Sequence, residues 1–234
     1  MSNSATFSSE SSPNTATGTG QGSVNKAAKP VLAGIAAVIV LGAAVAFFSG
    51  QRKGRDSAFR DRLFAARAKI AEELKAQGSV GLEFKKLDVD AKIPEGVKLL
   101  KEVAKQAHGT RVGFEANVTL GDLYFDHGNP AQATDLYKTA SEMAPSAFDK
   151  TLALAALAGA YENAGKNPEA VQAFDQALLQ GEASLKGDLL LGKARALSAS
   201  SDTQQARAVY DQILSQLPNS AEARTAEQLK ALLK

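Results

Sequence analysis

Four small residues, Gly96, Ala133, Ala170 and Ala206, stand 37, 37 and 36 residues apart, and each is followed four positions later by a large one: Leu100, Tyr137, Phe174 and Tyr210. A spacing of four puts both members of a pair on one face of a helix. A small-then-large pair recurring at a near-constant period defines a supersecondary unit stacked on copies of itself, and few folds satisfy that constraint. Two antiparallel helices approach closely only where a small side chain lets the backbones meet, and a large side chain one turn on fills the space beside them. One such unit cannot bury its apolar face alone, so neighbours must stack.

The letters around these pairs are more specific. In "LGDLYFDHGNPAQATDLYKTASEMAP", residues 120–145, Leu120-Gly121 is followed by Tyr124, the turn Gly128-Asn129, Ala133, Tyr137, Ala140 and Pro145. A second unit carries Leu154, Leu157-Ala158, Tyr161, Gly165, Ala170, Phe174 and Ala177, with Glu182 where the closing proline would fall. A third, weaker one has Leu190, Ala194, Leu197, Ala206, Tyr210, Ile213 and Pro218, and Gly96, Leu100 and Val103 fit the second helix of an earlier unit. The pattern resembles the tetratricopeptide repeat (TPR) in order and spacing. The expected fold is therefore all-α, a TPR helical-hairpin solenoid of about three to four repeats over residues 94–234. Its last stretch, "NSAEARTAEQLKALLK", would be a capping helix opened by Asn219, three residues before Glu222.

Ahead of the repeats the composition changes twice. Residues 1–29 are rich in Ser, Thr, Gly and Asn, too polar to offset their chain entropy by burial, and read as a disordered tail. Val31 to Phe48 is an uncharged run of 18 residues, about 27 Å long as a helix, which suits a transmembrane helix over 30–49. A cleaved signal peptide is the alternative, with Lys26 and Lys29 before the run and Ala44-Val45-Ala46 as a small-x-small site. Residues 50–93 then read as an amphipathic juxtamembrane helix, with Phe59, Leu63, Phe64, Ile70 and Leu74 between about Asp56 and Gln77, and a connection of about 19 residues, "GSVGLEFKKLDVDAKIPEG".

One span directly before a TPR domain resembles the architecture of the single-pass TPR ancillary subunit of the bacterial Sec translocon. That resemblance implies an inner-membrane protein whose TPR domain is periplasmic and whose partners are protein or peptide segments, among them Sec translocon subunits, emerging polypeptides or periplasmic chaperones. Charge argues the other way. Lys26 and Lys29 precede the run, whereas Arg52, Lys53, Arg55, Arg60, Arg62, Arg67 and Lys69 follow it, which favours a cytoplasmic C-terminal domain.

Catalysis is not expected. There is no cysteine, and the two histidines, His108 and His127, lie at a helix end and in a turn without a serine or carboxylate relay. Asp88 and Asp90 give D-x-D without the remaining ligands of a calcium loop, and no cofactor is implied. A net charge of +2 gives no reason to expect nucleic acid.

Binding is the expectation, in the groove lined by the first helices of the TPR pairs. By repeat position the groove-facing candidates are Glu115, Val118, Asp122, Phe125 and Asp126, then Leu152, Ala155, Gly159, Glu162 and Asn163, then Asp188, Leu191 and Arg195. TPR domains that clamp a terminal carboxylate present Lys and Asn at such places, whereas acids and small apolar residues stand here. That favours apolar or basic peptide segments, held in a salt-sensitive way. Carboxylates that merely solvate the surface are the alternative.

Overall fold

The computed structural model describes residues 56–76 and 87–233. Helical backbone covers 56–76 (α1), Val89–Lys92 (α2), Pro94–Gln106 (α3), Arg111–Asp126 (α4), Pro130–Met143 (α5), Ala147–Asn163 (α6), Asn167–Leu178 (α7), Lys186–Ala199 (α8), Thr203–Gln216 (α9) and Ala221–Leu232 (α10). No strand occurs among the described residues. The tail, the apolar run and residues 77–86 lie outside them, and no described helix is long and apolar enough to cross a membrane.

Sequence punctuation sets the helix ends. Thr110, Ser146 and Ser220 cap α4, α6 and α10, each hydroxyl accepting the N–H three residues on, at 3.2, 3.0 and 2.9 Å. The second helices of the pairs open instead on proline, at Pro94, Pro130 and Pro168, or on Asp202, which accepts from the Gln205 N–H. Ser220 is thus the cap that Asn219 was expected to be. Asn219 takes the left-handed turn before it, at φ 71°, a conformation asparagine tolerates.

The repeat spacing is realised as close packing. Ala133, Ala158, Ala170 and Ala206 are fully buried, and a Cβ added to Gly121 would stand 2.6 Å from the Tyr137 ring. Tyr124, Tyr137, Phe174 and Tyr210 are buried as expected, while Tyr161 is only partly covered.

The solenoid begins earlier than residue 94. The helix over 56–76, expected as a juxtamembrane element apart from the repeats, belongs to the same compact unit, Arg52–Lys234. Leu63, Ala66 and Ile70 enter the core, and the Ile70 side chain comes so near Gly96 that a Cβ there would be 2.5 Å from it. The Glu73 carboxylate accepts from the Gly96 and Glu95 N–H groups at 2.8 and 3.2 Å, capping α3, which has no cap of its own. Thus α1 and α3 make the first helical pair. Phe64, placed in the apolar stripe by the sequence, is 76% exposed; it neighbours Leu63 and so points about 100° away around the helix.

The connection expected as irregular down to Gly96 is a strap from residue 87 onward. Val89, the first residue of α2, and Ile93, just after its end, are buried in the main core. The Leu87 N–H donates to the His127 carbonyl at 3.3 Å, and the Asn129 side chain donates back to the Leu87 carbonyl at 3.1 Å. Asp90 accepts from Lys101 Nζ at 2.8 Å and from the Tyr124 hydroxyl at 2.9 Å, which together join α2, α3 and α4.

The Lys101 hydrogen bond, reinforced by that of Tyr124, holds the Asp90 carboxyl below the usual aspartate range. Its contribution to stability is complete above the unfolded value of about 4 and is lost as pH falls through the lowered folded value. Protection of the α2 and α3 amides, taken relative to the intrinsic exchange rate at each pH, is therefore expected to fall on acidification below about pH 4, and Asp90→Asn is expected to abolish that part of the pH dependence.

Two cores run along the solenoid. The larger extends from Leu63 to Ala196, and a second gathers Leu190, Ala194, Leu197, Ala206, Val209, Tyr210, Ile213, Ala223 and Ala226. Helix α8 serves both, giving Leu189 and Ala196 to one and Leu190, Ala194 and Leu197 to the other.

Candidate functional site

The first helices of the pairs, α1, α4, α6 and α8, are tied to one another in series by side chains. Arg67 Nη2 donates to Thr119 Oγ1 at 2.8 Å, from α1 to α4. Arg111 of α4 forks onto Asp149 of α6 at 3.0 and 3.3 Å. Asp149 is buried, accepts from Ser146 Oγ at 2.5 Å and returns its N–H to that oxygen, so one carboxylate both completes the cap of α6 and joins it to α4. Arg195 of α8 meets Glu162 of α6 in a second fork, at 2.8 and 2.7 Å. Three arginines thus make these helices a continuous layer.

The expected groove residues lie on that layer, but several carboxylates are already occupied. Glu162 is taken by Arg195, Glu115 stands 3.4 Å from Arg111, and the Asp122 carboxylate accepts from the Tyr137 hydroxyl at 2.7 Å. Partial desolvation beside the Tyr137 ring, with the nearby Asp126 charge, pushes the Asp122 carboxyl up despite that bond, although the residue as a whole is exposed. Burial likewise keeps Tyr137 far above the ordinary tyrosine range. Asn163 donates to the Gly159 carbonyl at 3.4 Å within its own helix. Asp126 and Asp188 are exposed, and no ion pair joins either to another described residue.

Phe125 is packed against the main core and Val118 against the small cluster of Phe114, Ala140 and Ala153, so both are only partly available to a partner. Two residues of α6 are far more open: Leu152, a sequence candidate, at 42%, and Phe148, which sequence reasoning missed, at 45%. Phe148 is one turn before Leu152 and 37 residues after Arg111. Extending the repeat alignment by a turn would have found it. Offsets of 37 and 36 then order the face in levels: Leu152 beside Glu115 and Asp188, Ala155 beside Val118 and Leu191, Gly159 beside Asp122 and Arg195. No three His, Cys, Asp or Glu side chains among the described residues converge as a metal-binding group.

Stacked helical pairs with an open layer of first helices define a repeat solenoid, a fold whose extended face is suited to binding other proteins. Two family models, each described as tetratricopeptide repeat, match residues 118–184 and 188–220, so these parts of the chain are similar to TPR units, a repeat that serves protein–protein interaction. The fold is also that of the TPR-like repeats of a protein described as a Podosopora anserina kinesin light chain. At 17% identity the TM-score is 0.53, with 75% of this chain and 84% of that one covered, and a single-substitution variant gives the same values. No curated protein matches the chain.

Proposed function

We propose that the chain is a single-pass membrane adaptor of the protein secretion machinery, its TPR module outside the cytoplasm and its role non-catalytic. Sec translocon subunits, emerging polypeptides and periplasmic chaperones are the partners this reading implies. The order of parts carries it: the apolar run ends at Phe48, and the first described helix of the TPR-bearing unit begins at Asp56, leaving little chain for any other domain between them. A second reading, a scaffold for a cytoplasmic or cell-envelope complex, is favoured by the seven basic residues after the run against two before it.

The chain has no cysteine, so single cysteines report its topology directly. Ser2→Cys and Gln228→Cys, the second on the exposed side of α10, would be treated in intact cells with a membrane-impermeant maleimide, with permeabilised cells as the reference. Labelling at 228 alone is the expected result, with copurification of translocon subunits. Labelling at 2 alone would place the repeats in the cytoplasm and make the scaffold the better account.

A further inference from the structure

Among the described glycines, Gly159 stands apart. Those inside the other helices are small because the fold crowds them: an added Cβ would stand 2.5 Å from Ile70 at Gly96, 2.2 Å from the Ala107 carbonyl oxygen at Gly113, 2.6 Å from Tyr137 at Gly121, 2.7 Å from Glu222 at Gly187 and 2.3 Å from Phe174 at Gly192. Those in the turns, at 109, 128, 165 and 181, have positive φ. Gly159 is helical, and a Cβ there would meet no atom of the described residues within 4 Å. Glycine inside a helix costs about 1 kcal/mol relative to alanine, and no packing among the described residues offsets that cost.

The surface around it is apolar along α6, with Phe148, Leu152 and Ala155 at successive turns before it. By repeat position two acids stand near it, Asp188 level with Leu152 and Asp126 level with Asn163. Both are exposed, and no ion pair joins either to another described residue, whereas Arg67, Arg111 and Arg195 are committed to Thr119, to Asp149 and Glu115, and to Glu162. The same sign extends to the whole segment: residues 111–234 hold 15 Asp and Glu against 11 Lys and Arg, although the complete chain is positive.

We infer that the α6 face of Phe148, Leu152, Ala155 and Gly159 docks a segment of a partner polypeptide whose apolar residues are flanked by lysine or arginine, with Gly159 left bare for close approach. This deepens the binding role of the TPR layer and rests on that role, not on membrane side or on the translocon. Apolar contacts along α6 supply affinity, and Asp126 and Asp188 set the preferred charge. A partner held by that charge preference binds less tightly as salt rises.

The test uses the purified full-length chain and two short labelled peptides with the same Leu and Phe core, one flanked by lysines and one by glutamates, read by fluorescence anisotropy. The lysine peptide is expected to bind at least about tenfold more tightly than the glutamate peptide. Gly159→Leu is expected to weaken that binding by about tenfold or more while leaving the melting temperature unchanged or higher, since the new side chain enters open space. Asp126→Lys with Asp188→Lys should invert the charge preference. Equal affinity for the two peptides, binding indifferent to Gly159→Leu, or no binding of either peptide would each overturn the inference. So would a concentration-dependent dimer that Gly159→Leu dissociates while neither peptide binds, since the face would then be covered by a second copy. Failure here leaves the topology result untouched, and a cytoplasmic topology leaves this surface untouched.

Discussion

Tyr137→Ala is expected to destabilise the repeat domain by about 3–5 kcal/mol, the usual cost of truncating a buried aromatic ring. The ring lies against the Gly121 backbone and its hydroxyl donates to Asp122, so one side chain closes the α4–α5 pair both by packing and by a polar contact. Tyr137→Phe keeps the packing and separates the two effects. Its cost should be about 1 kcal/mol, the net worth of one hydrogen bond. Chemical denaturation of both variants checks the ratio. Equal losses would mean that the hydroxyl, not the ring, holds the pair together.

Ile93→Ala is expected to cost about 2–5 kcal/mol, because the side chain is fully buried between the strap and the first repeats and a cavity would remain. The loss should be local in the first instance. Solenoid stability is approximately a sum over neighbouring units, so a terminal repeat can open while more distant ones stay closed. Hydrogen exchange is expected to show α1 to α3 losing protection while α9 and α10 keep theirs. Uniform loss across all helices would show that the strap governs the whole domain.

Much of the architecture was legible because repetition multiplies a weak signal. The pair of Ala133 and Tyr137 alone says little, but its counterparts at 170 and 174 and at 206 and 210 fix the second helix of each unit and its buried face. The first pair escaped the same reading because its helices are joined by a long insertion rather than a short turn. Nothing in α1 alone indicates that Ile70 seats on Gly96 or that Glu73 caps α3. Periodicity places the groove candidates on the first helices, yet it is blind to the pairing of their side chains with neighbouring helices. Asp122 and Glu162 look alike in sequence, and only the packing register shows that one holds a tyrosine and the other an arginine. The bare surface at Gly159 was equally invisible, since a glycine forced by crowding and one facing open space are the same letter.

The double duty of α8 limits how the molecule can be shortened. With Leu189 turned to one core and Leu190 and Leu197 to the other, this helix has no side suited to being a terminus. A chain stopped after Ala199 would present Leu190, Ala194 and Leu197 to water and invite aggregation, whereas one stopped before Lys186 would uncover what Leu189 and Ala196 now seal. The final repeat and its capping helix are therefore not a detachable accessory. A minimal soluble fragment of this protein has to run through α10.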